Sequence, residues 1–227
     1  MFYIVRYESK RWDKRMSNDL FTYRYEIRNC YSTTWTTARV RSRRGLGTRD
    51  ARFLAKGYEG ASLSDLTRAM RINRPSLYAA FGNKEELFRK VLDRYVNGPL
   101  AYFGKALAAP KARDVVEQIF FGAAKMAGDP RLPAGCLMVQ GALAVGDAAR
   151  SVRKEAAARR IASEVALRHR FQRAKREADL PQSADPANLS RYVMTVLQGM
   201  AVQGADGASP DQLRRVAQMA LRALPER

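Results

Sequence analysis

The amino-acid sequence predicts an all-α protein, and three observations carry that expectation. From about residue 50 onward, apolar residues recur every three or four positions, the period that gives a helix one buried stripe. Helix-start chemistry recurs with them. Ser62 stands three residues before Asp65, Asn83 three before Glu86, and Pro186 and Pro210 directly follow Asp185 and Ser209. Strand-like composition is confined to the N-terminal part, where "FYIVRYE" (2–8) and "LFTYRYEIR" (20–28) are rich in aromatic and β-branched residues.

Residues 1–48 read as an atypical basic arm, irregular or weakly β. A lone two-stranded ribbon is marginal in water, so disorder over much of 1–45 is an equal alternative. Within the arm, "RVRSRRGLGTR" (39–49) holds five arginines and no acid, which suits a solvated linker or a phosphate-contacting segment. Next, residues 62–70 place Leu63, Leu66, Ala69 and Met70 on one stripe, in a helix too short to persist without packing. The turn "RINR" (71–74) follows. Asn73 can cap a second helix, in which Pro75 loses nothing because first-turn N–H groups have no intrahelical partner. Leu77 and Phe81, four apart, would hold it on the first. A third helix opens at Lys84, carries Leu87, Val91, Leu92 and Tyr95 inward, and must break at Gly98–Pro99 before continuing to 107.

The remainder reads as helix 112–128, the loop "DPRLPAG" (129–135), helix 136–149, and a long Ala- and Arg-rich helix over 150–179, charged on one side. Helices 186–205 and 210–224 follow. The domain division expected is 1–48 for the arm, 49–96 for a small helical head and 97–227 for a larger helical domain.

Composition bounds the function. The 227 residues are 46% hydrophobic, enough for a real core, but 41 lysines and arginines against 22 acids give a formal charge of +19. Such an excess favours a polyanionic partner, either nucleic acid or an anionic membrane surface. Residues 1–50 hold 12 of the basic and 5 of the acidic residues. Two cysteines, Cys30 and Cys136, are too few for a disulfide scaffold. Charge interrupts the N-terminus before a signal-length apolar run can form, and no stretch reaches the 18 or so apolar residues that a membrane helix needs, so a cytoplasmic protein is expected. His169 is the sole histidine and has no carboxylate or thiol beside it at ligand spacing, so no metal is expected. Without a nucleophile–base cluster or a phosphate-cradling glycine loop, neither catalysis nor a cofactor is expected.

Two short helices joined by a tight turn, the second exposing its first residues, have helix-turn-helix geometry. Helical corners of this kind also occur in proteins that never touch DNA. The stretch "KGYEGASLSDLTRAMRINRPSLYAAFGNKEELF" (56–88) resembles the DNA-binding signature of TetR-type bacterial transcriptional regulators over its full 33 residues. "RLPAGCLMVQGALA" (131–144) is similar to a Gly-Cys-Leu segment in one branch of that family. The resemblance implies a homodimer whose first three helices bind double-stranded operator DNA. Helices four to seven would enclose a pocket for an unidentified small-molecule inducer, and the last two helices would pair with their mates. Ligand binding would move the fourth helix and lower operator affinity, the behaviour of a repressor.

If residues 74–81 enter the major groove, Arg74, Pro75, Ser76, Tyr78 and Ala79 form the contact face. Arg74 would read a guanine edge, Ala79 would meet a thymine methyl, and Tyr78 would give its hydroxyl to a phosphate or serve as a partly buried spacer. Ser62 and Ser64 would contact the DNA backbone, and Lys84, at a helix N-terminus, would meet a phosphate. Arg71 fills a turn position that usually carries glycine in this family, which implies either a strained left-handed backbone or a different turn. Candidate pocket residues are Phe103, Phe120, Met126, Cys136, Met138, Gln140, His169, Met194 and Gln198, although Met and Phe at helical spacing are more often core. Cys136 opens a predicted helix, a position that lowers a thiol pKa and promotes sensing chemistry; the opposing and favoured reading is a small buried hydrophobe.

Two departures from the family pattern leave a second reading open. Only "RDARFLAKGY" (49–58) stands where a full first helix belongs, and residues 1–48 resemble nothing in the family. They are either an alternative arm or the product of a wrong reading frame or start site upstream, and the change of composition near residue 50 favours the second. The alternative function is therefore a helical small-molecule- or partner-binding protein with a vestigial DNA head.

Overall fold

The computed structural model describes residues 53, 55–132, 134–143 and 146–225. The expected β-like arm and Cys30 lie outside them. Among the described residues there is no strand, and the regular elements are all helical: α1 (55–60, with residue 53 helical ahead of it), α2 (Leu63–Met70), α3 (Arg74–Phe81), α4 (Lys84–Asn97), α5 (Ala101–Ala106), α6 (Ala112–Ala127), α7 (Leu137–Gln140), a 3-10 turn (Asp147–Ala149), α8 (Arg150–Arg176), α9 (Pro186–Ala205) and α10 (Pro210–Arg222).

The helix starts follow the capping chemistry. Ser62 Oγ accepts the Asp65 N–H at 3.0 Å. The Asp65 carboxylate takes Lys56 Nζ at 2.9 Å, which ties α1 to α2. Asn73 caps α3 by accepting the Ser76 N–H at 2.8 Å. At α4 the box is complete: Asn83 Oδ1 accepts the Glu86 N–H at 2.9 Å, and Glu86 Oε2 accepts the Asn83 N–H at 3.3 Å. α4 stops at Asn97, and Gly98 and Pro99 separate it from α5. No side chain next to α6 caps it. Asp179, from the loop after α8, reaches across to accept the Ala112 N–H at 2.6 Å.

One expected element is cut short. The helix anticipated over 136–149 is four residues long, followed by bends and the 3-10 turn. The Gly141 carbonyl, which would extend the helical ladder, accepts the Tyr58 N–H from α1 at 2.7 Å. A tertiary hydrogen bond thus replaces local ones, and the glycine-containing sequence offers little propensity to resist.

Two apolar clusters form the interior. One joins α1–α4, α7 and the first part of α8 through Phe53, Leu66, Leu77, Leu87, Phe88, Leu137, Val152 and Ala156. The other joins α5, α6, α9, α10 and the far part of α8 through Val115, Ile119, Phe120, Leu167, Phe171, Val193 and Leu213. α8, 27 residues and so about 40 Å long, belongs to both and is the strut between head and body. Arg159 braces it to α4 through Asp93 at 2.8 Å. Nearer its C-terminal end, buried Arg170 donates to the carbonyls of Ala109 and Pro110, each at 2.9 Å, and holds the α5–α6 connection in place.

Candidate nucleic-acid interface

The eight residues of α3 bury one side chain, Leu77. Arg74, Pro75, Ser76, Tyr78 and Ala79 are all exposed, Tyr78 at 48% of its surface. A short helix that buries so little is held mainly by Leu77, by its cap and by its neighbours, which leaves a continuous face free for a partner. Ser62 and Ser64 lie at the start of α2 and are exposed too. The structure brings Ser64 and Arg74 into contact: Arg74 Nη2 donates to Ser64 Oγ at 3.0 Å.

Arg71 adopts φ 55° and ψ 44°, the left-handed conformation that closes α2. Its N–H reaches the Arg68 carbonyl at 3.2 Å, and that of Ile72 reaches the Thr67 carbonyl at 3.1 Å. The turn is therefore the one that glycine would form, made by an arginine. Lys84 sits at the N-terminus of α4 but reaches back to α1. Its ammonium lies 4.5 Å from the Tyr58 ring centroid and 3.4 Å from the Glu59 carbonyl, and burial lowers its pKa. Phosphate contact by this side chain would compete with that clamp.

Behind this face the described part of α1 buries Phe53 and Tyr58. The rings of Phe53, Tyr58 and Phe88 meet with centroid separations of 5.0 to 6.3 Å, and Phe53 has no exposed surface. α1 also grips the body. Besides the Tyr58–Gly141 bond, Glu59 Oε1 accepts the Gly146 N–H at 2.7 Å. An open cleft of about 450 Å³ lies at this junction, lined in part by Tyr58, Glu59, Gln140 and Gly141. Gln140 Oε1 in turn accepts the Cys136 N–H at 3.0 Å, and Arg160 of α8 donates to the Met138 carbonyl.

Cys136 is buried, and burial pushes its thiol pKa up. The N–H groups of Met138 and Val139, the Tyr95 hydroxyl and the Arg160 charge all act to lower it, but desolvation outweighs them. The helix-terminus argument for an activated thiol thus loses to burial. Tyr95 bonds to this thiol and to the Leu137 N–H, and burial raises its own pKa. Tyr102 lies beside them with its pKa raised for the same reason.

The remaining candidate pocket residues are dispersed. Phe103, Phe120 and Met194 belong to the body cluster, and Met138 lies with Cys136 in the head-side cluster. Met126, Gln140 and Gln198 are half-buried, and His169 is exposed on α8, outside the interior. Sequence reasoning did not single out Glu59, Tyr102 or Arg160. Arg160 is one of many arginines in an Ala/Arg-rich helix, and Glu59 only becomes notable once Gly146 lies against it. Among the described residues, no group of three His, Cys, Asp or Glu side chains could hold a metal ion, and no helix is long and apolar enough to cross a membrane.

Comparison with known proteins gives a consistent result. The family model described as bacterial regulatory proteins, tetR family, matches residues 51–91, and that described as tetracyclin repressor-like, C-terminal domain, matches residues 112–220. The HTH-type transcriptional repressor ComR of Escherichia coli (strain K12) is 30% identical over 176 residues, which cover 77% of this chain and 84% of ComR. The HTH-type transcriptional repressor BdcR of the same strain is 29% identical, over 76% of this chain and 83% of BdcR. Among solved structures, a cysteine mutant of the TetR family transcriptional regulator CifR, complexed with 26-base-pair double-strand operator DNA, superposes with a TM-score of 0.77 at 38% identity. The match covers 80% of this chain and 95% of CifR.

Proposed function

The chain belongs to the TetR family of bacterial regulatory proteins, and from that premise we propose that it is a ligand-responsive repressor that binds operator DNA through α2 and α3. The observation that carries this reading is the exposed face of α3, with Arg74, Pro75, Ser76, Tyr78 and Ala79 outward and Leu77 alone buried. Arg74 is assigned to a guanine edge in the major groove, Tyr78 and Ser62 to phosphates, and Ala79 to a thymine methyl. The packed Phe53–Tyr58–Phe88 cluster supports a working head rather than a vestige.

The functional unit proposed is a homodimer paired through α9 and α10, which leave Val202, Val216 and Met219 exposed on the single chain. Two-fold symmetry would present two α3 helices to two half-sites of one duplex. An inducer held by the body would act on the head along two routes: α4, braced to α8 by Arg159–Asp93, and the end of α7, bonded to α1 at Tyr58 and Glu59. The inducer is a small molecule of unassigned class.

The test is a binding titration of the full chain against duplex DNA from upstream of its own gene and against a scrambled duplex, at several salt concentrations. Tighter binding to the upstream duplex by about 10³-fold or more, with affinity falling steeply as salt rises, is expected. Equal affinity for both duplexes overturns the reading.

A further inference from the structure

We propose that Ser64 is a positioning residue for Arg74: the α2 hydroxyl aims the guanidinium at its base and so sets specificity at one base pair. The proposal rests on the reading of α3 as the recognition helix. Ser62 and Ser64, two residues apart at the same helix start, have different tasks. The Ser62 hydroxyl accepts the Asp65 N–H and caps α2. The Ser64 hydroxyl takes no part in capping and accepts Arg74 Nη2 from the neighbouring helix at 3.0 Å.

An exposed arginine at the first position of a helix samples many rotamers, and each misdirected one lowers the population able to meet a guanine. A hydrogen bond to a second, separately capped helix selects among them before DNA arrives. The chemistry of the partner matters as much as its place. A hydroxyl orients the guanidinium without neutralising it and uses one of its five N–H donors, so the pair of donors needed for guanine O6 and N7 stays available. A carboxylate in the same place would form a bidentate pair with those donors and compete with the base. The acid adjacent in sequence, Asp65, is committed elsewhere, to Lys56 at 2.9 Å and to Arg68 at 3.9 Å. Arg74 thus has a neutral partner in a head otherwise laced with ion pairs.

The experiment uses the full chain and a randomised double-stranded DNA library, from which the wild type recovers a consensus duplex. Affinities are then measured for that duplex and its single-base-pair variants with wild type, Arg74→Ala, Ser64→Ala, Ser64→Thr and the Ser64→Ala/Arg74→Ala double variant. Arg74→Ala should erase the preference at one G·C pair. Ser64→Ala should reduce the preference at that same pair by roughly three- to tenfold, the effect of one lost hydrogen bond, and leave the other positions and the salt dependence unchanged. Ser64→Thr, which keeps the hydroxyl, should retain the preference. In the Arg74→Ala background, Ser64→Ala should have no further effect. If Ser64→Ala weakens all duplexes alike and makes the salt dependence shallower, Ser64 is a phosphate contact and the proposal fails, while the reading of Arg74 stands. If Arg74→Ala leaves every base preference intact, Arg74 does not read a base, and the positioning role falls with it.

Discussion

Arg71 and Ala178 are the two described residues other than glycine with positive φ, at 55° and 56°. In this conformation a β-carbon crowds the backbone, at a cost on the order of 1 kcal/mol relative to glycine. Arg71→Gly and Ala178→Gly should each raise Tm by about 2–4 °C in a chain of this size, read by thermal melting; an unchanged Tm means that the added freedom of the unfolded glycine cancels the relief. A second prediction concerns protons. Burial raises the pKa of Cys136, Tyr95 and Tyr102 above ordinary values of 9.0 for the thiol and 10.0 for the phenols. An acid whose folded pKa is raised holds its proton more tightly when folded. Its contribution is complete below the ordinary value and is lost as the pH rises through the folded one. Stability should therefore decline above about pH 9, and Tyr102→Phe, which removes one titrating group, should flatten that alkaline decline in urea midpoints measured from pH 8 to 11. Arg71 was legible in the sequence as a turn residue out of place, because local geometry sets the turn. The buried state of Cys136 was the favoured reading of the sequence and holds; the tyrosines and the arginine that surround it were not legible, because they come from α4, α5 and α8.

Elements whose ends are fixed by their own residues were readable, and those fixed by distant partners were not. The caps Ser62, Asn73, Asn83, Asp185 and Ser209 all bond as their sequence context predicts. α7 was misjudged in length because the hydrogen bond that ends it comes from Tyr58, about 80 residues earlier in the chain. The start of α6 at Ala112 was read from its apolar period, but the group that caps it, Asp179, lies 67 residues away and was not visible. The α3–α4 joint gives a prediction at this scale. Gly82 sits at φ 75° and ψ −131°, and a β-carbon there would collide with the Glu86 carboxylate that completes the capping box of α4. Gly82→Ala should therefore lose both backbone ease and half of the box, together about 2 kcal/mol, in chemical denaturation. Glu86→Gln, whose amide oxygen can still accept the Asn83 N–H, should lose much less; a Gly82→Ala variant as stable as the wild type would show that the joint tolerates another geometry.

At the scale of the whole molecule, the sequence revealed the helical class and the head but not how head and body join. The +19 charge pointed to a polyanion, and the dense motif over 56–88 specified which kind. The joint depends on Tyr58 meeting Gly141, on Glu59 meeting Gly146, on Arg159 meeting Asp93, and on α8 spanning two cores. Helical periodicity contains none of these pairings. The body's outer face makes the last prediction. Met219 is 69% exposed and Val216 44% on α10, and Val202 39% on α9, on helices whose other faces are committed to the body cluster. A charge at these positions costs the single chain little, because they are already in water, whereas in a paired interface it would be desolvated without a partner. Val216→Asp and Met219→Asp should therefore leave the helical circular-dichroism signal and Tyr102 burial unchanged while shifting sedimentation from dimer to monomer. Because each chain carries one head, the monomers should bind a two-half-site duplex at least roughly 10²-fold more weakly, the loss expected when the second head is no longer tethered. Dimers that survive both substitutions would mean that the chains pair through another face, and the geometry of two α3 helices on one duplex would have to be built from there.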